Sequence, residues 1–161
     1  MSALSFLRPM DESDLAKVHE IEQACYDYPW TLSGFEKSLD QGLNYVFCDS
    51  ENQIIGYSCI LPVLDEAHLL NLCVSPKFQR QGIARQALFQ LLDNLLDTDF
   101  KIVFLEVRES NEKARRLYGS LGFSEDGVRK RYYRCQVWDD EFMTLLDGKE
   151  DAVLMSYRFD G

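Results

Sequence analysis

The sequence lacks the features of a metalloprotein, a disulfide-stapled protein or a membrane-spanning protein. It has five cysteines and two histidines in 161 residues, and the cysteines never form a Cys-x-x-Cys pair. We therefore expect reduced thiols in a cytoplasmic protein that holds no metal. No apolar run approaches the length of a membrane span, and the first residues contain no apolar signal segment, so we expect neither feature.

Basic residues are also scarce. The chain has 17 Lys and Arg against 27 Asp and Glu, which gives a formal net charge of −10. Direct binding of nucleic acid needs a basic surface, so this balance argues against it. The same balance suits a basic partner such as a cationic peptide or amine, although it also serves solubility alone. Apolar residues make up 46% of the chain, enough for one globular domain with a sizeable core.

The chain contains strands and helices in irregular alternation, which predicts an α/β fold with a mixed sheet covered by helices. The clearest helix follows Gly82, because its apolar residues recur at helical spacing. These residues are Ala84, Ala87, Leu88, Leu91, Leu92 and Leu95. Other helices are predicted from Asp11, Thr31 and Ser110 or Asn111, and strands at Ser5–Arg8, Tyr45–Cys48, Ile54–Pro62, Ala67–Val74, Lys101–Val107, from Phe123, and at Ala152–Tyr157.

The most informative local pattern is a strand that turns through a glycine into that helix. The turn reads Gln79-Arg80-Gln81-Gly82-Ile83-Ala84. A helix start presents unpaired backbone N–H groups, and the helix dipole adds positive potential behind them. Because Gly82 has no side chain, the backbone can approach an anion closely. The turn therefore predicts a pyrophosphate-binding site.

Two ionisable residues stand on apolar faces of the predicted elements. Glu106 shares a strand face with Ile102 and Phe104, so it should be partly buried. It is either functional or held in a salt bridge, for example with Arg108 or Arg85. Tyr118 lies on the apolar stripe of the helix that begins near Asn111. By pattern alone it is either a core tyrosine or a functional one.

Several segments together resemble the GNAT superfamily of acyltransferases. The resemblance extends over nearly the whole chain, and within the superfamily it points to enzymes that acetylate protein N-termini. The matching segments are Tyr28-Pro29-Trp30, Asp65-Glu66-Ala67, Leu70 to Pro76, Gln79 to Arg85, Leu105 to Asn111, Leu117 to Phe123, Arg129 to Tyr133 and Gly148 to Ala152.

The resemblance implies a single GNAT domain over residues 1–161, with about seven strands in a mostly antiparallel sheet and about four helices. It implies that acetyl-CoA binds where the middle strands splay apart. The implied cofactor-binding residues are Leu72, Cys73 and Val74 for the pantetheine arm, Arg80, Gln81, Gly82, Ile83, Ala84 and Arg85 for the pyrophosphate, and Asn111 near the thioester.

The resemblance also implies roles in catalysis. Glu106 would be the general base that takes a proton from the amine, directly or through a water, and Tyr118 the general acid for the leaving CoA thiolate. No metal is required. The implied substrate-binding residues are Tyr28, Pro29, Trp30, Tyr132 and Tyr133. The implied substrate is a basic protein N-terminus, most closely the N-terminal alanine of a small-subunit ribosomal protein.

Two alternatives remain open at this point. The acceptor could be a lysine side chain or a small amine, although an α-amine with a pKa of about 7.8 is far more often neutral at pH 7 than a lysine with a pKa of about 10.4. The chain could also be a non-catalytic module that binds acyl-CoA, and the presence of both Glu106 and Tyr118 argues against this. The oligomeric state is not predicted.

One segment departs from the family pattern. Fourteen residues, Arg134 to Asp147, stand where the pattern has a short turn. This insert carries apolar and acidic side chains, and it follows Tyr132 and Tyr133. We expect a surface loop that folds its apolar side chains onto the domain; the alternatives are a cover for the groove or a docking site. We expect the preceding cluster Arg129-Lys130-Arg131 to be a solvated or ion-paired strand face.

Overall fold

The computed structural model describes residues 3–159, which contain seven β-strands and four α-helices, the numbers expected for a GNAT-like α/β fold. Residue contacts divide the chain into two compact units. Among the described residues, the first comprises 3–103 and Phe159, and the second comprises Phe104–Arg158. The single-domain organisation stays a prediction.

The first unit contains four antiparallel strands that neighbour one another in chain order. They are β1 (Phe6–Pro9), β2 (Leu43–Cys48), β3 (Ile54–Val63) and β4 (Glu66–Val74). The central strand β3 is buried over most of its length, and its Tyr57 stands opposite Val46 of β2 and Cys73 of β4. β3 is therefore a central strand of this unit, paired on both sides.

Helices α1 (Leu15–Cys25) and α2 (Leu32–Gln41) pack on these strands. Asp11 starts a 3₁₀ turn ahead of α1 through a capping box with Asp14, and the ion pair with Arg8 lowers the pKa of Asp14. Thr31 caps α2, because its Oγ1 accepts a hydrogen bond from the Gly34 N–H at 3.0 Å. The predicted starts of both helices are confirmed.

Helix α3 (Ile83–Leu96) follows a short 3₁₀ turn at Pro76–Phe78. Its predicted apolar stripe is confirmed: five of the six residues are buried and Ala84 is partly buried. β5 (Ile102–Arg108) comes next in the chain. No helix among residues 3–159 is long and apolar enough to cross a bilayer.

The second unit contains β5 from Phe104 onward, α4 (Glu112–Ser120), β6 (Ser124–Asp139) and β7 (Thr144–Arg158), with β7 between β5 and β6. The Asn111 side chain caps α4 by accepting a hydrogen bond from the Ala114 N–H at 3.1 Å. Gly122, with φ at +106°, ends the helix, and the Phe123 N–H bonds the Tyr118 carbonyl. The predicted cap and stop are both present.

β6 and β7 form a long antiparallel hairpin, and this differs from the loop expected for residues 134–147. Within that segment Val137 stands opposite Leu146 and Trp138 opposite Leu145. The loop expectation was wrong because the apolar residues of the insert pair across two strands. The expectation that they fold onto the domain was also wrong, since they are exposed.

The hairpin also contains a bulge that sequence patterns do not reveal. Arg129 pairs with Ala152 and Tyr133 with Glu150, so three residues of β6 stand opposite Asp151 alone. Arg131 takes a φ of +52°, and its N–H donates to Asp151 Oδ1 at 2.9 Å. This bulge re-aims the strand where the predicted substrate residues Tyr132 and Tyr133 lie.

Candidate active site

The turn before α3 has the geometry of an anion site. Gly82 is the N-cap of α3 with φ at +78°, and Arg80 is also left-handed with φ at +65°. Gly82 makes no side-chain cap hydrogen bond, and the start of an α-helix carries N–H groups that have no partner within the helix. The turn is exposed, and a Cβ built on Gly82 meets no atom within 4 Å. Its donors and open space fit a pyrophosphate.

The strand that leads to this turn carries the predicted pantetheine residues Leu72, Cys73 and Val74. Gln79 Nε2 donates to the Val74 carbonyl at 2.9 Å and so fixes the turn to the end of β4. The Tyr26 hydroxyl donates to the Leu72 carbonyl at 3.3 Å. Burial raises the pKa of the Cys73 thiol, which therefore stays protonated as a core residue.

Glu106 lies on β5 and is part-buried, as predicted, with its side chain 29% exposed. Its Oε1 is 3.4 Å from Nη2 of Arg129, while Arg108 pairs with Glu150 instead. The Arg129 guanidinium also stacks over Tyr132, 4.5 Å from the ring centroid. The expectation of an ion-paired strand face is confirmed for Arg129. The carboxylate thus has one exposed cation as partner and keeps access to water.

Tyr118 and Tyr133, two of the tyrosines in the same unit as Glu106, have a raised pKa. Burial raises the pKa of Tyr118 to about 12, and its ring packs on Phe123 with centroids 5.7 Å apart. Burial, and after it the Glu106 charge, raises the pKa of Tyr133 to about 12. Both hydroxyls therefore stay protonated and able to donate at neutral pH.

A second cluster anchors the start of α4 to the hairpin. Glu150 Oε1 accepts from the Ser110 hydroxyl at 2.7 Å, and Glu150 Oε2 is 3.3 Å from Nη1 of Arg108. Burial opposes ionisation of Glu150, yet the Ser110 hydrogen bonds and the Arg108 charge lower its pKa. Arg108 also donates to the Arg134 carbonyl at 2.7 Å and lies over the Tyr133 ring at 4.7 Å. This network fixes the position of Tyr133, which stands opposite Glu150 in the hairpin.

Glu22 of α1 is a buried carboxylate that was not predicted from the sequence. It is 2% exposed and accepts hydrogen bonds from the Tyr57 hydroxyl at 2.5 Å and the Asn71 amide at 2.8 Å. Its other oxygen accepts from the Trp30 N–H at 2.9 Å. All three donors are neutral groups. Because they belong to two strands and to the loop that follows α1, Glu22 links these segments to α1.

That loop carries Tyr28, Pro29 and Trp30, all part-buried. The Trp30 ring packs on Phe35 with centroids 5.2 Å apart, and Phe35 packs edge-on against Tyr57. The loop is therefore tied down at its end by Glu22 and by aromatic packing. Within residues 3–159 no group of three or more His, Cys, Asp and Glu side chains could hold a metal ion.

Comparison with known proteins identifies the family. Residues 15–123 match the acetyltransferase (GNAT) family. The chain belongs to this family. It is accordingly an acyltransferase. The residues around Glu106 and those around Glu150 therefore lie on a GNAT fold.

Individual relatives match over nearly the full length. The [ribosomal protein bS18]-alanine N-acetyltransferase of Escherichia coli strain K12 is 35% identical over 155 residues, 95% of this chain and 97% of that protein. The Haemophilus influenzae protein of the same name is 36% identical over 153 residues, 95% of this chain and 98% of that protein. A crystal structure of the Escherichia coli ribosomal-protein-S18-alanine N-acetyltransferase has a TM-score of 0.83 at 32% identity, covering 96% of this chain and 93% of that one.

Proposed function

We propose that this GNAT enzyme transfers the acetyl group of acetyl-CoA to the α-amine of a protein N-terminus, namely the N-terminal alanine of ribosomal protein bS18. The observation that carries the proposal is a sequence identity of 35% and 36% to enzymes bearing that name, over nearly the whole of both chains. We further propose that it acts in the cytoplasm and binds no nucleic acid directly, in keeping with its scarce basic residues.

The turn at Gly82 is proposed to hold the pyrophosphate of acetyl-CoA through the N–H groups of residues 80–85. The left-handed Arg80 and Gly82 and the uncapped start of α3 support this role. The backbone of Leu72–Val74 would bind the pantetheine arm in the manner of an added strand. Asn111, whose Oδ1 caps α4, would offer its amide N–H group near the thioester.

Glu106 is proposed to be the general base. The attacking α-amine must be neutral, and a part-buried carboxylate that still meets water can take its proton. Arg129 holds that carboxylate in place without enclosing it. Acetyl-CoA supplies the acetyl group as a thioester, which the neutral amine attacks. Glu106 passes the proton of the ammonium group to bulk water. The nitrogen loses its second proton as the amide forms, and this proton balances the one that the CoA sulfur takes up.

Tyr118 is proposed to be the general acid. The departing CoA sulfur takes up a proton or accepts a hydrogen bond, and a hydroxyl with a pKa of about 12 is fully protonated at neutral pH. The half-buried loop Tyr28-Pro29-Trp30 and the pair Tyr132–Tyr133, with centroids 4.8 Å apart, would hold the first residues of the peptide.

The test compares two peptides of otherwise equal sequence. One begins Ala-Arg with a free α-amine and carries an acetylated lysine; the other has a blocked α-amine and a free lysine. We expect kcat/KM to be far higher for the first peptide, and raising the salt concentration to increase its KM more than that of a neutral Ala peptide. A higher kcat/KM for the blocked peptide would replace this proposal with lysine acetylation.

A further inference from the structure

The end of the β6/β7 hairpin exposes several large apolar side chains. We define the hairpin tip as residues 136–147. Six large apolar side chains there are between 46% and 71% exposed: Val137, Trp138, Phe142, Met143, Leu145 and Leu146. Scattered single apolar residues need no explanation, but six of them concentrated on two paired strands and the turn between them favour an interaction surface.

The pairing of the strands places these side chains on both faces of the tip. Val137 stands opposite Leu146, and the next pair, Trp138 and Leu145, points to the other face. Phe142 and Met143 complete the surface at the turn, where Met143 takes a φ of +50°. Since half or more of most of these side chains is exposed, neither face is covered.

Acidic side chains surround this apolar surface. Asp139 ends β6, Asp140 and Glu141 lie in the turn, and Asp147 lies on β7. The hydrogen bonds to these carboxylates come from neutral groups: the Trp138 indole to Asp140 at 2.7 Å, the Glu141 N–H to Asp139 at 2.9 Å and the Gln136 amide to Asp147 at 2.6 Å. Such bonds leave the negative charges in place.

We propose that the hairpin tip docks a basic, apolar segment of the substrate protein that lies beyond the N-terminal residues being acetylated. This inference rests on the proposed function. The acidic rim and apolar centre complement a segment that carries Lys or Arg beside apolar side chains. A second copy of this chain is a poorer occupant, because both tips would be acidic on a chain of net charge −10.

The hairpin tip is too far along β6 from Tyr133 to contact the first residues of the substrate. Trp138 lies five residues beyond Tyr133 on β6, or about 17 Å at roughly 3.4 Å per residue. A fully extended tetrapeptide reaches at most about 14 Å. A tetrapeptide bound at Tyr133 therefore cannot reach Trp138, whereas a whole protein can contact both.

The experiment measures KM and kcat for full-length ribosomal protein bS18 and for its N-terminal tetrapeptide. The test variant is Phe142→Ser with Met143→Asn, chosen because both residues are exposed and asparagine tolerates the positive φ. The control is Phe89→Ser with Leu64→Asn, because Phe89 is similarly exposed and Leu64 has a φ of +57°. A second test variant, Asp140→Asn with Glu141→Gln, removes charge alone.

We expect the apolar variant to raise the KM for the protein about tenfold, leaving its kcat and all tetrapeptide constants unchanged. The charge variant should raise the same KM less, and the control should do nothing. The docking proposal is overturned if the apolar variant changes KM equally for the protein and the tetrapeptide, or changes neither. It is also overturned if the control variant raises the KM for the protein as much as the test variant does. In each of these cases the proposed function still stands. If the wild type acetylates neither α-amine, the proposed function fails. If the wild type is a dimer in solution and the apolar variant is a monomer, the hairpin tip binds a second copy of this chain and the docking proposal is overturned.

Discussion

Two glutamates, one in each unit, have contrasting surroundings. Glu22 is 2% exposed and both its oxygens accept hydrogen bonds, from three neutral donors. The Glu106 side chain is 29% exposed and faces one cation, Arg129, at 3.4 Å. A buried carboxylate that accepts several hydrogen bonds from the protein stabilises the fold, whereas a carboxylate with access to water can exchange protons. The contrast predicts that substitution of Glu106 lowers kcat, whereas substitution of Glu22 lowers the free energy of unfolding.

The largest expected effect is the loss of turnover in Glu106→Gln. The amide keeps the shape but cannot take the amine proton, so kcat should fall roughly 10²–10⁴-fold. The Kd for acetyl-CoA and the thermal midpoint should hardly change. Glu109→Gln, at an exposed position just beyond the same strand, is the control and should retain full activity. Steady-state kinetics with the Ala-Arg peptide measure both variants.

Tyr118→Phe should lower kcat within the same range, since it keeps the ring packing on Phe123 but removes the proton donor. The raised pKa of about 12 adds a second expectation. The neutral hydroxyl persists to higher pH than in a free tyrosine, so wild-type kcat should show no loss from its ionisation between about pH 9 and 11. A decline centred near pH 10 would contradict the raised pKa of this hydroxyl.

Glu22→Ala should damage the fold more than the chemistry. The change leaves the Tyr57 hydroxyl and the Asn71 amide without their acceptor, at about 1–3 kcal/mol for each unpaired group. We expect the free energy of unfolding to fall by ~3 kcal/mol in urea titrations, with kcat of the folded enzyme changed less than tenfold. Glu51→Ala, an exposed glutamate of the same unit, is the control. A 10²-fold loss of kcat at unchanged stability would contradict the structural role.

Gly82→Val should weaken acetyl-CoA binding well over tenfold. The left-handed φ disfavours a β-branched residue, and the side chain would stand where the pyrophosphate approaches. Gly127→Val, where a Cβ meets nothing within 4 Å, is the matched control. Calorimetric titration gives both affinities, and equal values for wild type and Gly82→Val would remove the pyrophosphate assignment.

Sequence pattern predicted best where one local rule decides the structure. The α3 stripe, the Thr31 and Asn111 caps and the turn at Gly82 each depend on residues within one or two helical turns. The hairpin depends on pairing across strands and on a bulge at Arg131, which no local spacing encodes. The partner of Glu106 was missed for the same reason, because Arg129 lies 23 positions away on another strand.

Glu22 could have been found from the sequence. Val18, Ile21, Glu22 and Cys25 have the i, i+3, i+4, i+7 spacing of the buried face of α1. This spacing predicts that the Glu22 carboxylate is buried. A buried carboxylate needs partners, and that requirement is itself a signal of an unseen network. Which donors supply the hydrogen bonds could not be predicted, because they come from β3, β4 and the loop at Trp30.

The central claim is that Glu106 takes the amine proton, and the ratio of wild-type kcat to Glu106→Gln kcat at two pH values tests it most directly. At about pH 6.5 the α-amine is mostly protonated and needs a base; at about pH 9.5 it is mostly neutral. The account predicts a ratio that shrinks markedly from the lower to the higher pH. An equal ratio at both would make Glu106 an orienting or structural residue and contradict the claim.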